Sequence, residues 1–114
     1  MKKFNIGDIV FVARYEYKSG DVGKNHIFVI INDGQAVDIN YFGFLISSQI
    51  NKATYEYNEK LLKNNLNNLN RDSIVKCDDL IEIKEKDILF KIGVITQEEL
   101  NRFIEAFKRY LDSV

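Results

Sequence analysis

The chain has 114 residues, 46% apolar and 29% charged, which suits one domain (residues 1–114) with a buried core and argues against disorder. Sixteen Lys+Arg against seventeen Asp+Glu leave a formal charge of −1, balanced between the two halves of the chain, so charge alone does not hold it to a nucleic-acid duplex. A single cysteine (Cys77) excludes an internal disulfide and a Cys-based zinc cluster, and a single histidine (His26) argues against a His-rich metal site.

No apolar run approaches the ~18 residues of a membrane span. The start resembles a signal peptide for three residues only, because Gly7 and Asp8 interrupt the apolar stretch. A cytoplasmic protein is therefore expected.

Residues 6–14 form a β-branched and aromatic run that predicts a first strand. A long loop over residues 15–25 is expected next, since Ser19, Gly20, Asp21 and Gly23 are turn residues. Residues 26–31 read as a second strand closed by Asn32-Asp33-Gly34. Residues 35–50 give one or two further strands, with Gly43 marking a bulge. A short strand is expected around Thr54-Tyr55-Glu56-Tyr57. Residues 58–70 contain six Asn and read as a loop, because Asn favours turns over helix.

Ser73–Cys77 reads as another strand that Leu80–Ile83 extends or follows, and residues 88–92 as a short one ending at Gly93. Thr96-Gln97-Glu98-Glu99 has the form of a capping box. Leu100, Phe103, Ile104, Phe107 and Leu111 then recur at intervals of three and four, one apolar helix face. Many short strands followed by one C-terminal helix predict an antiparallel sheet or small, partly open barrel with helical cover.

Three segments together resemble the MazF/PemK family of toxins from type II toxin–antitoxin systems. They are Ile6-Gly7-Asp8-Ile9-Val10, the stretch from Gly23 to Asn32, and Asn70-Arg71-Asp72-Ser73-Ile74-Val75-Lys76-Cys77-Asp78 leading to the run from Lys91 to Leu100. The resemblance implies an SH3-like small antiparallel barrel with a C-terminal helix, usually a homodimer. It also implies a metal-independent endoribonuclease, without cofactor, that cuts single-stranded RNA through attack of a ribose 2′-hydroxyl on the adjacent phosphate. A cognate antitoxin would cover the RNA groove.

The match is uneven at the residues that carry the chemistry. Where the family has an Arg-Pro pair whose Arg is the principal catalytic cation, this chain has Asn25-His26. Ile46-Ser47-Ser48-Gln49 fits the family's hydroxyl pair, with Ser47 in place of the catalytic Thr. The acid-Gln-Ile-Arg tetrad reads Asp78-Asp79-Leu80-Ile81, without the Gln and the Arg.

His26 and Ser47 are thus the candidate catalytic residues, His26 because imidazole can serve as acid or base near neutrality. Lys24, Asn25, Ser48, Gln49 and Asp78 are candidate RNA-binding residues, and no metal site is expected. Arg14 reads as an outward strand residue. Tyr15/Tyr17 and Tyr55/Tyr57 are spaced to share a strand face, either to stack bases or, preferably, to pack in a core or interface. Cys77 reads as a buried small hydrophobe. Asp8, Asp33 and Asp38 read as solvated turn or strand-end acids. Because the family Arg is replaced, a second reading stands beside the nuclease: a non-catalytic binding protein of the same fold, acting on RNA or on a protein target as gyrase poisons do.

Overall fold

Continuous apolar runs such as residues 28–31 bury both strand faces only where a sheet is covered on both sides. The computed structural model, which describes residues 3–34, 40–51 and 55–114, shows how this is achieved. Six strands, β1 (Asp8–Glu16), β2 (Val22–Asp33), β3 (Asn40–Ser47), β4 (Asn58–Leu61), β5 (Ser73–Lys84) and β6 (Ile88–Val94), form one antiparallel sheet in the order β4-β5-β3-β2-β1-β6. A 3-10 turn, Glu85–Asp87, joins β5 to β6, and helix α1 (Gln97–Asp112) follows. The sheet is open, with β4 and β6 as edges among the described residues, but it curls far enough to bring β1 against β5.

Alternate residues feed two cores. Ile9, Val29, Phe44, Ile46, Val75 and Cys77 pack under α1 with Leu100, Phe103 and Ala106. Val10, Val12, Phe28, Ile30, Leu45 and Ile83 pack with Tyr15 and Tyr41 on the other face, inside the curl. Fully buried Phe28, Phe44 and Phe103 each contribute roughly 1.5–3 kcal/mol of transfer free energy. Gly43 stands beside a register shift between β2 and β3, and a Cβ there would meet the Val29 carbonyl oxygen at 2.7 Å, so the bulge brings two backbones together.

The capping box forms as expected: Thr96 Oγ1 accepts from the Glu99 amide (3.1 Å), and Glu99 Oε1 accepts from the Thr96 amide (2.9 Å). The buried stripe of α1 differs in detail, because Ala106 is buried whereas Leu111 is 49% exposed. Arg102 and Arg109 both reach Glu59 of β4 (3.1 and 3.9 Å).

Several local expectations are corrected. Instead of a long loop over 15–25, β1 and β2 continue as a hairpin paired down to Glu16 and Val22, closed by a short turn in which Gly20 has φ +91°. The strands extend because Tyr15 packs against Phe28. The strand expected at Tyr55–Tyr57 starts instead at Asn58, where it pairs with β5, and Thr54 lies outside the described residues. Residues 35–39, including Asp38, also lie outside them. Asp8 is not a solvated acid: it is 4% exposed, pairs with Lys91 (3.2 Å) and accepts from the Asn5 amide (2.9 Å).

Candidate active site

The register Ile27↔Ile46 makes His26 and Ser47 the next rung of the β2–β3 ladder, at the point where β3 ends. Ile74, one residue into β5, pairs with Ser47 from the other side. The end of β3 and the start of β5 therefore meet beside an overhanging β2, and a cavity of about 400 Å³ opens there. Phe11, Ile27, Ile46 and Leu69 supply its apolar lining. Its polar lining comes from Asn25 and His26 of β2, Ser47, Ser48 and Gln49 at the end of β3, and Asn70, Arg71 and Ser73 before and within β5.

Five of the seven residues singled out in the sequence are brought together here. Asn25 has φ +56°, a left-handed conformation that Asn tolerates better than most residues, in the middle of a strand. Such a kink re-aims the backbone where the cavity opens. His26 is exposed, and its Nδ1 lies 2.9 Å from the hydroxyl of Tyr15. Ser47 Oγ accepts from the Gln49 amide (3.2 Å), and the Ser48 carbonyl accepts from the Ile50 amide (2.9 Å), so the segment after β3 turns tightly.

Lys24 and Asp78 stand elsewhere. Lys24 is exposed on β2, opposite Arg14. Between Phe44↔Leu80 and Ile46↔Val75 the β3–β5 register shifts, so residues 76–79 of β5 face only Leu45. That bulge carries Asp78 and Asp79 to a separate cavity with Lys18, Lys76, Tyr55 and Tyr110. Burial and the neighbouring Asp78 hold the Asp79 carboxyl above the usual carboxylate range, with Lys18 and Lys76 opposing.

Sequence reasoning gave Arg71 no role. The chain has four arginines; Arg14 pairs with Glu16, and Arg102 and Arg109 with Glu59. Arg71 is exposed at the cavity and has no carboxylate partner among the described residues. The Asn-rich segment delivers it there. Asn67 is fully buried; its Oδ1 accepts from the amides of Asn64 (3.0 Å) and Leu69 (3.1 Å), and its Nδ2 donates to the Leu62 carbonyl (2.9 Å). The available signal was position: Arg71 is the second residue of the family-like segment that runs from Asn70 to Asp78.

The tyrosines divide. Tyr15 is in the core and Tyr57 packs edge-on against Tyr110 (5.3 Å), whereas Tyr55 is 61% exposed. Cys77 is fully buried, and burial pushes its thiol well above the ordinary range. Among the described residues no group of three or more His, Cys, Asp or Glu is placed to hold a metal ion. No described helix is long and apolar enough to cross a membrane.

Comparison with known proteins bears on this arrangement. The fold is similar to that of the Mycobacterium tuberculosis toxin MazF-mt6, with a TM-score of 0.64 and 18% identity over 90% of this chain and 96% of that one. No match is found among curated protein sequences. Residues 5–111 match the family described as PemK-like, MazF-like toxin of type II toxin–antitoxin system. The match spans the three strands that frame the cavity, the loop that carries Arg71, and all but the last residue of α1. The chain belongs to this family of toxins.

Proposed function

We propose that this toxin is a metal-independent endoribonuclease that cuts single-stranded RNA by attack of a ribose 2′-hydroxyl on the adjacent phosphate. The observation that carries this reading is the convergence of Arg71, His26, Ser47 and Ser48 on one cavity. The reaction forms a bond from the 2′-oxygen to phosphorus and breaks the bond to the 5′-oxygen. The proton lost by the first oxygen is gained by the second, leaving a cyclic 2′,3′-phosphate and a 5′-hydroxyl.

Negative charge accumulates on the phosphoryl oxygens in the transition state, and donors aimed there lower the barrier. Arg71 supplies the fixed positive charge that the replacement at Asn25-His26 removes. The Ser47 and Ser48 hydroxyls orient the phosphate, and His26 stands beside the reacting group. Asn25 and Gln49 offer amide groups to the bases or sugars. Lys24 adds charge along the approach, and Asp78 acts at a distance from the cavity.

The same reading includes one domain, a homodimer, an antitoxin partner that covers the cavity, and action in the cytoplasm. Leu89 and Phe90, 58% and 53% exposed on the open edge β6, support contact with a second copy.

The test is incubation of a long unstructured RNA with purified protein in EDTA, beside the His26→Ala/Ser47→Ala double variant. Discrete fragments with cyclic phosphate ends, absent with the variant, are expected. Intact RNA at high protein concentration would overturn the nuclease reading and direct attention to a bound protein target.

A further inference from the structure

We infer that Tyr15 is a positioning residue: its hydroxyl holds the His26 imidazole in one orientation and one tautomer, so that the neutral ring offers an Nε2–H donor to the phosphoryl oxygens. The inference rests on the reading of His26 given above and deepens it. His26 then stabilises charge as a neutral hydrogen-bond donor beside Arg71, and does not serve as the base.

The geometry of Tyr15 leaves it one place to be. It is 3% exposed, and its ring meets Phe28 edge-on at 4.7 Å. It also lies over Gly23, its partner across the β1–β2 ladder, where a Cβ would fall 2.2 Å from the ring. Only a glycine at position 23 admits the ring there. The hydroxyl then reaches both His26 Nδ1 (2.9 Å) and the Tyr17 hydroxyl (3.2 Å).

The direction of these bonds follows from the groups. Burial and the Asp79 charge raise the pKa of Tyr15, so its phenol keeps its proton. An imidazole nitrogen is a stronger acceptor than a phenol oxygen, so that proton goes to Nδ1, and Tyr17 donates to the Tyr15 oxygen. A neutral imidazole has one donor and one acceptor nitrogen, and the bond at one fixes the role of the other. With Nδ1 accepting, the proton of His26 sits on Nε2. Among the described residues Tyr15 is the only hydrogen-bond partner of the ring.

Because His26 is the only histidine, its ring nitrogens give a single set of signals in a 15N-labelled sample of the whole protein. The experiment compares the wild type with Tyr15→Phe, which keeps the ring packing and loses the hydroxyl, above the titration of His26. The expected wild-type spectrum is one tautomer, with a protonated Nε2 and an unprotonated Nδ1; Tyr15→Phe is expected to give a mixture. Loss of the orienting partner of a metal-bound histidine costs about 10–100-fold, and a fall of about that order is expected here in kcat with KM unchanged.

His26→Gln, which retains a neutral donor, is expected to cleave faster than His26→Ala. A proton on Nδ1 in the wild type, or a tautomer unchanged in Tyr15→Phe, would overturn the inference. So would equal rates for the Gln and Ala variants, the result expected of an acid or base. If the wild type cuts no RNA, the nuclease reading falls and with it the donor role, while the spectra still decide whether Tyr15 sets the tautomer.

Discussion

Gly93 of β6 and Asn67 meet backbone to backbone: a Cβ at Gly93 would lie 2.4 Å from the Asn67 carbonyl oxygen. Two hydrogen bonds flank this contact, from the Val94 amide to the Leu66 carbonyl (3.2 Å) and from Asn68 Nδ2 to the Ile92 carbonyl (3.0 Å). The edge strand thus clamps the loop that carries Leu69 and Arg71 to the cavity. Gly93→Ala forces the two backbones apart and is expected to destabilise the protein by about 1–3 kcal/mol, the usual cost of overpacking. Asn67→Ala orphans the two amides that Oδ1 satisfies and is expected to cost about 1–3 kcal/mol. Urea unfolding measures both, and RNA cleavage is expected to fall with them because Arg71 loses its support.

Arg71→Ala is expected to slow RNA cleavage about 10²–10³-fold, as removal of one charge-stabilising donor does elsewhere. Its guanidinium has no ion-pair partner among the described residues, so the thermal midpoint should move little. Lys24→Ala, outside the cavity, should cost far less than Arg71→Ala. Comparable losses for the two variants in a single-turnover assay would show that Arg71 is not the principal cation.

Asp79 gives a pH-dependent prediction. Its carboxyl is raised in the folded protein, so the native state binds this proton more tightly than the unfolded chain does. The contribution to stability is full at acid pH and is lost as pH rises from the ordinary Asp value of about 4 through the raised one. Asp79→Asn removes the half-buried charge and should therefore unfold at a higher temperature than the wild type near neutrality, with the gap closing at about pH 3. Calorimetric scans at the two pH values test the sign.

Cys77 should resist alkylation in the native protein. Its side chain is fully buried and its thiol is pushed upward by burial, which removes both access and the reactive thiolate. Labelling by a neutral maleimide should follow the rate of unfolding and accelerate sharply in denaturant. Rapid labelling without denaturant would contradict the placement of Cys77 in the core.

What was legible in the sequence depended on how far along the chain its cause lies. The box of Thr96 and Glu99 and the apolar spacing from Leu100 to Phe107 lie within a few turns, and the helix forms where they place it. Leu111 fits the same spacing but is half exposed, because burial depends on what the sheet offers opposite it. The Asn-rich stretch was legible as a loop beyond residue 61, yet nothing local shows that Asn67 would be its buried centre.

The sequence by itself determined the fold class, the capped helix and most of the strands, since propensity and periodicity act between residues close in the chain. Tertiary structure alone decided that Arg71 enters the cavity, that the bulge in β5 takes Asp78 away from it, and that Tyr15 reaches His26. Each of these rests on strand register and on contacts between residues distant in sequence, as between Asn67 and Gly93 or Phe44 and Leu80. Such contacts form only when the sheet assembles, because register is set by the burial of whole faces and not by any single residue's preference.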